Sequence, residues 1–331
     1  CMHSCPLGID TAYMMMFMRR ICHKLGCTPQ YIQDTAHSHS ATFNQMWVKD
    51  DEWPDALLWQ EEEARDEFPN IRIPLDKVGA DVLYSVIGPE PKFRTQLIYQ
   101  AAAIMYEADV DFTMPTYPGW DNSDMCMFTG DFEMMGRLKK VHFEQAQELR
   151  VKKVVMGECG HAFRSIYDVG NRWCGWRDYP VEIVHSIEFF AQLFREGRIK
   201  MAEMVPLVTI HDPCNIIRGR GLMDHLRYVA SQIADEVIEM TPNREHNYCC
   251  AAGGGVINCG PPFKNVRIQG NSIKAKQLQA VKDKGVETII SPCHNCHGGL
   301  EDIIHANHLG MDLKFLGDII YANMVKTKAV E

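Results

Sequence analysis

Short apolar runs alternate with longer amphipathic segments from residue 76 to the end of the chain. An apolar run of four to nine residues between polar or turn-forming residues is typical of a strand buried in a parallel sheet. Apolar residues spaced three and four apart are typical of helices packed on such a sheet. Strands are predicted at 80–88, 111–115, 152–158, 181–185, 206–214, 237–240 and 287–293. Helices are predicted at 93–108, 132–150, 159–169, 186–195, 223–234, 268–284 and 296–306, with a last strand and helix after residue 312.

This alternation predicts an α/β fold that was duplicated. Strands that alternate with helices form parallel sheets from right-handed βαβ units. The order of elements occurs twice, so two tandem Rossmann-like domains are predicted: a first copy at 76–200 and a second copy at 201–331. In the second copy, cysteines stand at three junctions where a strand ends. The first copy has Gly88-Pro89 in place of Cys214, 124–131 in place of 247–254, and 157–162 in place of 291–296.

The first 75 residues do not follow this alternation. Cys1-Met2-His3-Ser4-Cys5-Pro6 matches the end of a ferredoxin-type run, in which cysteines hold a cubane [4Fe–4S] cluster. Cys1 and Cys5 are therefore predicted cluster ligands, and the remaining ligands are expected upstream in a longer natural protein. Residues 1–36, with a helix at 13–25, are interpreted as the end of this α-helical module. Residues 37–75 are interpreted as a linker with short helices.

Composition and charge exclude several classes of protein. Of the 331 residues, 46% are hydrophobic and 23% are charged, which is ordinary for a folded globular protein and unlike a disordered or fibrous chain. The net charge of −9 makes nucleic acid an unfavourable partner. The longest apolar run covers 12–18, whereas a membrane-spanning helix needs about 20 residues. We therefore expect no membrane span in this sequence.

The cysteines supply the candidate chemistry. Five of the 13 cysteines follow strands of the second copy, namely Cys214, Cys249, Cys250, Cys293 and Cys296. The carboxyl ends of parallel strands form the crevice in which open α/β sheets bind ligands, so these thiols are expected to converge. Soft thiolates select iron–sulfur clusters, zinc or copper. Five sulfurs exceed the four that a tetrahedral zinc ion or a simple cubane requires.

The spacing of these cysteines resembles a known family. Cys214, Cys249-Cys250 and Cys293-x-x-Cys296 lie in the segments HDPCN, CCAAGGGV and SPCHNCHGGL, and GECGHAF in the first copy is a weaker match. These segments are similar to the CCG, or cysteine-rich, domain of heterodisulfide-reductase-type iron–sulfur subunits. A ferredoxin module followed by two such domains is the layout of that family. The methionine-rich, degenerate first copy most resembles the subunit of the high-molecular-weight cytochrome c complex of sulfate reducers, and next the sulfite-reductase-associated one.

The resemblance implies a cofactor and a set of ligands. An intact CCG domain in this family holds a noncubane [4Fe–4S] cluster, so Cys214, Cys249, Cys250, Cys293 and Cys296 are the implied ligands and catalytic residues. His211, Asp212 and His297 are candidates for hydrogen bonding around the ligands, although His211 and Asp212 equally fit a turn that fixes the loop before Pro213. Two departures are Ala251 in place of the third motif residue, glycine, and a longer second spacing that includes Cys259. The first copy retains only Cys126 and Cys159 and is expected to hold no cluster.

The resemblance also implies a function in anaerobic respiration. The chain is expected to be the iron–sulfur oxidoreductase subunit of a membrane complex, docked on the cytoplasmic face of the cell membrane. Cubane clusters would exchange electrons with the noncubane cluster, which would reduce or form a disulfide. The expected partners are integral membrane subunits of the cytochrome b or quinone-site type, a multihaem cytochrome c, and a thiol or disulfide substrate that includes the case of a small protein.

Four other interpretations of the same residues stay open from the sequence. A zinc ion on four of the five cysteines would make the second copy a structural or binding module. Cys293-x-x-Cys296-His297 also has the form of a c-type haem attachment motif. CCAAGGGV is a weak match to a phosphate-binding loop, because no GxGxxG or GK[ST] follows it. Finally, the chain could be an electron-wiring or docking subunit without a substrate of its own.

Overall fold

The computed structural model describes residues 5–170 and 181–330. Two four-stranded sheets form the framework, and every strand pair in them is parallel. The first sheet has the order β2-β1-β3-β4 and the second has the order β6-β5-β7-β8. The strands are β1 Val82–Ser85, β2 Phe112–Thr113, β3 Lys153–Met156, β4 Glu182–His185, β5 Val205–Ile210, β6 Ala234–Val237, β7 Thr288–Ile290 and β8 Asp312–Lys314. The mixed α/β class is confirmed, and the two sheets share one topology.

Helices follow the strands and also precede the first sheet. In the described residues the α-helices are α1 Thr11–Lys24, α2 Gln30–Thr42, α3 Glu52–Arg65, α4 Glu90–Phe93, α5 Gln96–Glu107, α6 Cys126–Thr129, α7 Phe132–Glu148, α8 Gly160–Arg164, α9 Ser186–Arg195, α10 Cys214–Arg220, α11 Met223–Ile233, α12 Pro261–Gln269, α13 Ser272–Lys282, α14 His294–Ala306 and α15 Leu316–Asn323. None of the helices in the described ranges has both the length and the apolar character that crossing a membrane demands.

Two predicted elements differ from the structure in the second copy. The strand predicted at 237–240 is β6, which begins at Ala234 because Ala234 pairs with Val205 of β5. The helix predicted at 268–284 is α13, which begins only at Ser272, because Gly270 and Asn271 separate it from α12, a helix that was not predicted. The interruption places the Asn271 side chain, whose Nδ2 donates to the carbonyl oxygen of Cys249 at 2.8 Å. The residue between the two helices therefore holds the backbone of the cysteine loop.

Residues 37–75 are more ordered and more deeply packed than the predicted linker. They include the last six residues of α2 and all of α3, and the side chains of Trp53 and Leu57 are fully buried in the main core. The Trp53 ring stacks on Trp120 with 4.2 Å between ring centroids, and its Nε1 donates to the Pro115 carbonyl at 2.8 Å. Trp53, Leu57 and Ala64 recur at helical spacing, which is the signal for a buried helix face.

The ferredoxin-type interpretation of residues 1–36 is not tested by the fold. Cys1 lies outside the described residues. Cys5 precedes α1 and is half-buried, and hydrogen bonds from the backbone of its own segment, led by Ile9, lower the pKa of its thiol. The segment nevertheless packs on the rest of the chain, because Arg19 of α1 donates through Nη2 to the Gly254 carbonyl at 2.7 Å.

Candidate metal centre

Three strand-to-helix connections of the second copy carry the five predicted cysteines. Cys214 is the first residue of α10, four residues after the end of β5, and Cys293 caps the start of α14 after β7. Cys249 and Cys250 lie in the loop that follows β6. Because β6, β5 and β7 are adjacent parallel strands, their carboxyl ends bring these connections to one edge of the sheet. Cys250, Cys293 and Cys296 are buried, Cys214 is half-buried and Cys249 is exposed.

The structure brings the sulfur atoms together. Cys250 lies at the centre and interacts with both Cys249 and Cys296, and Cys296 also interacts with Cys293. Cys214 lies close enough for its charge to interact with Cys250 and Cys293. The five residues therefore form one group, as the strand-end rule predicts, and their assignment as metal ligands remains a proposal.

The thiols of this group control one another's protonation. Hydrogen bonds from Cys249 and Cys296 hold the pKa of Cys250 well below its usual range. The same contacts act in reverse on the donors: Cys250 raises the pKa of Cys249 and of Cys296. Burial, and then the charge of Cys250, raises the pKa of Cys214 to about 11. Thiols packed this closely cannot all ionise unless a positive charge lies among them, because buried like charges repel strongly.

Lys274 is the buried cation beside the group. Its ammonium group donates to Asn247 Oδ1 at 3.2 Å and to Gln277 Oε1 at 2.6 Å. Burial lowers the pKa of Lys274 to about 7, against the opposing pull of the Cys250 and Cys296 thiolates. Sequence reasoning missed this residue, because a lysine in an amphipathic helix is normally expected on the solvent face. Its position favours negative charge on the sulfur atoms.

His211 and Asp212 have different surroundings. One ring nitrogen of His211 lies within 4.8 Å of the Cys250 and Cys296 sulfurs, and all three residues are buried. Burial lowers the pKa of His211, so the ring is neutral and able to hydrogen-bond the Cys250 sulfur. The Asp212 carboxylate instead forms a bidentate ion pair with Arg227, at 2.6 and 2.9 Å. His211 therefore faces the sulfur group, whereas Asp212 fixes the loop that precedes Cys214.

His297 is held away from a role as a haem ligand. Its Nε2 lies 2.8 Å from the Ser291 carbonyl oxygen, and its ring stacks on Phe315 with 3.5 Å between centroids. Cys293 and Cys296 are 4% and 3% exposed. A covalently attached haem needs both thiols at the wall of a haem-sized pocket, so the burial of these side chains argues against that alternative. His297 instead supports the turn that carries Cys293.

Cys159, which belongs to the first copy, also lies in the sulfur group. Its thiol hydrogen-bonds with Cys293, and this contact, followed by burial, raises the pKa of Cys159 well above its usual range. The reciprocal contact from Cys159 is the largest cause of the lowered pKa of Cys293. Cys126 packs elsewhere, in an apolar cluster, and Cys259 lies at the edge of that cluster. From the sequence, Cys159 was expected only to be a retained cysteine of a first copy that holds no cluster.

Close backbone contacts hold the Cys249-Cys250 loop in place. Ala251 has a φ of 61°, in the left-handed region that favours glycine, which is the residue the CCG motif has at this position. Gly299 of α14 lies against the loop so tightly that an added Cβ would be 2.5 Å from the Cys250 carbonyl oxygen. The pair Gly298-Gly299 after the CxxC motif could have indicated from the sequence that α14 lies close to another backbone segment.

A cavity of about 470 Å³ opens on the exposed side of the sulfur group. Cys214 and Cys249 form part of its wall. The rest of the lining combines apolar side chains with cationic ones, including Met127, Phe128, Arg164, Phe263, Val266 and Arg267. Apolar and cationic side chains therefore surround the exposed residue Cys249 on this side.

Comparison with known proteins agrees with this geometry. Residues 208–301 match the family model described as the cysteine-rich domain CCG. Over 88% of its length the chain is 25% identical to the Hdr-like menaquinol oxidoreductase iron–sulfur subunit 2 of Archaeoglobus fulgidus, and it covers 60% of that protein.

Two further relatives also carry the names of redox enzymes. One is a component of the dihydromethanophenazine:CoB–CoM heterodisulfide reductase of Methanosarcina barkeri, which is 25% identical over 91% of the chain and 70% of that component. The EtfAB:quinone oxidoreductase of Syntrophomonas wolfei is 24% identical over 92% of the chain and 42% of that protein. The chain thus spans about 60% of the length of its Archaeoglobus relatives. These matches support [4Fe–4S] clusters as the cofactor class. Residues 208–301 are similar to the CCG domain, and most of the chain is similar to iron–sulfur subunits of heterodisulfide-reductase-like oxidoreductases.

Proposed function

We propose that the second copy holds a noncubane [4Fe–4S] cluster on Cys214, Cys249, Cys250, Cys293 and Cys296. The observation that carries this proposal is the convergence of five sulfurs from three strand ends into one largely buried group. The donor set fits an iron–sulfur cluster better than a single ion, because the number of sulfurs exceeds four. The mutual pKa shifts of these thiols also favour a multiply charged metal group among them.

The proposed reaction is the conversion of a disulfide into two thiols, or the reverse. Each disulfide takes up two electrons and two protons, and an iron–sulfur cluster supplies electrons one at a time. The cavity beside Cys249 positions the substrate sulfur, and Arg164 in its wall attracts an anionic group of the substrate. His211 places a neutral imidazole next to Cys250, where the ring orients the sulfur and accepts or returns a proton at nitrogen.

The wider assembly is part of the same proposal. Cys1 and Cys5 would belong to a cubane cluster that exchanges electrons with the second copy. The names of the relatives refer to menaquinol, quinone and dihydromethanophenazine, which supports partners that are integral membrane subunits. Docking at the cytoplasmic face of the membrane, and electron exchange with a cytochrome b-like subunit and a multihaem cytochrome c, complete the proposed arrangement.

Metal analysis tests the cofactor directly. Protein purified without oxygen should contain iron and acid-labile sulfide, and reduction or oxidation should produce a paramagnetic signal. A second candidate is zinc, because His211, Cys250 and Cys296 place three donor atoms within 4.8 Å of one another, as a structural zinc site would. Zinc without sulfide would contradict the cluster and support a structural or binding role for the second copy.

Substrate turnover tests the catalytic part of the proposal. Cluster-loaded protein reduced with a chemical electron donor should cleave disulfides of small anionic thiols or of a cysteine-bearing peptide. The Arg164→Gln variant should keep its cluster. Relative to the wild type, its KM should rise for anionic substrates and change little for neutral ones. If the protein binds a reducible cluster but cleaves no disulfide in any of these assays, its function would be electron transfer between other subunits, without a substrate of its own.

A further inference from the structure

Cys159 and Cys293 occupy equivalent positions in the two copies. Cys159 lies between β3 and α8, and Cys293 lies between β7 and α14, where β3 and β7 have the same place in the two sheet orders. Both residues are extended, with φ and ψ of −140° and 108° for Cys159 and −161° and 117° for Cys293. Each amide also donates to the carbonyl two residues earlier, at 2.7 and 2.8 Å. The two turns are structural copies of each other.

These two turns face each other across the boundary between the copies. The amide of His294 donates to the Glu158 carbonyl oxygen at 3.1 Å. The Glu158 carboxyl group accepts from the amides of Leu316 and Gly317 at 2.9 and 2.7 Å. The residue before Cys159 and the residue after Cys293 are therefore joined by a backbone hydrogen bond, and the two buried thiols contact each other.

The Cys159 turn also packs against the element that carries Cys214. A Cβ on Gly160 would lie 3.0 Å from Ile216 Cγ1 and 3.2 Å from Asn215 Cβ, so α8 and α10 are in close contact. The first copy thus contributes a sulfur beside Cys293 and a supporting surface beside Cys214. Deep burial alone does not produce this placement, because Cys126 is equally buried and packs among Met16, Met135 and other apolar residues.

We propose that Cys159 is a tuning residue of the cluster site: its S–H group donates a hydrogen bond to the Cys293 sulfur and raises the reduction potential of a cluster held there. This inference rests on the proposed function. Hydrogen bonds to ligand sulfurs stabilise the more electron-rich, reduced form of a cluster, so their removal lowers the potential. By this assignment, the degenerate first copy is part of the redox site although it binds no cluster of its own.

The test compares Cys159→Ala and Cys159→Ser with Cys126→Ala in anaerobically purified, cluster-loaded protein. Cys159→Ala should keep its iron and shift the reduction equilibrium toward the oxidised form by about tenfold, which is ~59 mV for a one-electron couple. Cys159→Ser retains a donor and should recover part of that shift. Cys126→Ala changes an equally buried first-copy cysteine and should leave the potential and the paramagnetic signal at wild-type values.

Two results would overturn the tuning role while leaving the proposed function intact. One is a Cys159→Ala protein with wild-type potential and spectrum, which would make Cys159 a packing residue. The other is loss of iron from both Cys159 variants while Cys126→Ala stays loaded, which would make Cys159 a ligand. Thermal unfolding of each cluster-free variant shows whether any loss of iron has a structural cause.

The thiol contact itself is tested without the cluster. In cluster-free Cys296→Ala protein, diamide should take two electrons and two protons from Cys159 and Cys293 and join them in a disulfide. Trypsin would then release residues 154–164 linked to residues 285–314, and mass spectrometry would detect the linked pair. Absence of this pair would refute the contact, whatever metal the wild type binds. Failure of the wild type to bind iron would refute the proposed function and leave the crosslink in place.

Discussion

The two copies share a sheet order but fill the carboxyl ends of their strands differently. In the second copy this crevice holds sulfur atoms around Cys250. In the first copy it holds a carboxylate, Asp124, whose Oδ2 lies 3.2 Å from the ammonium nitrogen of Lys139, and both side chains are completely buried. His161 lies beside this pair, with its Nε2 3.1 Å from the Asp124 carbonyl oxygen, and burial lowers its pKa to about 4.

A buried lysine is the feature that both crevices keep. Lys139 of α7 and Lys274 of α13 come from helices in equivalent positions, and each is fully buried. Lys139 faces a carboxylate and the Ser165 hydroxyl at 3.0 Å, whereas Lys274 faces thiols. In both copies the fold thus buries a lysine at the crevice, whereas the acidic groups that face it differ. An internal carboxylate faces the lysine in the first copy, whereas the second copy presents the thiols that we propose as cluster ligands.

The largest expected effect is the loss of the first-copy ion pair. Lys139→Met should lower the free energy of unfolding by about 3–5 kcal/mol, because it leaves the buried Asp124 carboxylate without its partner. Lys140→Met is the matched control, since Lys140 is exposed and pairs with the exposed Glu144, and should change stability by less than about 1 kcal/mol. Denaturant unfolding measures the free energy of unfolding of both variants. Equal losses in the two variants would mean that the buried Lys139–Asp124 pair contributes no more stability than a surface pair.

The second prediction concerns the close approach of α14 to the cysteine loop. Gly299→Ala should displace the Cys250 loop, lower the unfolding free energy by about 1–3 kcal/mol and remove most of the bound iron. Gly253→Ala provides the control, because nothing lies within 4 Å of an added Cβ there. Iron content and unfolding curves of the two variants are the measurement. A Gly299→Ala protein that is fully loaded would show that the loop tolerates displacement.

The third prediction is a pH dependence at the boundary between the copies. Burial raises the pKa of Glu158 to about 8, so the folded state keeps a proton that the unfolded state releases near its usual value of 4.5. This proton stabilises the fold below about pH 4.5, and the contribution is lost as the pH rises toward 8. Glu158→Gln should therefore flatten the decline in stability between pH 5 and 8. Glu133→Gln, at an exposed site, should keep the wild-type slope of unfolding free energy against pH. Identical slopes for the wild type and both variants would contradict the raised pKa of Glu158.

The smallest expected effect restores the family residue in the cysteine loop. Ala251→Gly should raise the free energy of unfolding by about 1 kcal/mol, because Ala251 has positive φ and bears the steric cost of the left-handed region. The same substitution at buried Ala252, whose φ is not positive, should instead destabilise the protein. Chemical unfolding distinguishes these opposite signs, and destabilisation by both changes would mean that Ala251 is not strained.

The pattern along the chain predicts the features that depend on local periodicity. Alternating apolar runs locate the strands, and the strand-end rule brings together Cys214, Cys249-Cys250 and Cys293. The prediction of a linker around Trp53 and Leu57 is less accurate. Only a few residues of α3 are buried, and the many polar residues between them hide their helical spacing in the sequence. The first-copy strand ends are poor in candidate ligands, and nothing in their sequence indicates the Lys139–Asp124 pair.

The missing parts of the site depend on contacts between distant segments. Cys159 and Cys293 are brought together by the packing of one copy on the other, which no local pattern encodes. Lys274 points inward because α13 begins only after Asn271, and the sequence suggested one longer helix. Gly299 is required because α14 touches the Cys250 carbonyl, and the role of such a glycine appears only when the neighbouring backbone is in place.

The most direct test of the second-copy cluster compares Cys250→Ser with Cys126→Ser in anaerobic, iron-reconstituted protein. Cys250 is at the centre of the second-copy sulfur group, and Cys126 is an equally buried cysteine of the first copy. We predict that Cys250→Ser loses the paramagnetic signal of the second-copy cluster and the corresponding iron and sulfide, while Cys126→Ser keeps the wild-type signal. An unchanged signal in Cys250→Ser, or an equal loss in both variants, would contradict a cluster built on the second-copy cysteines.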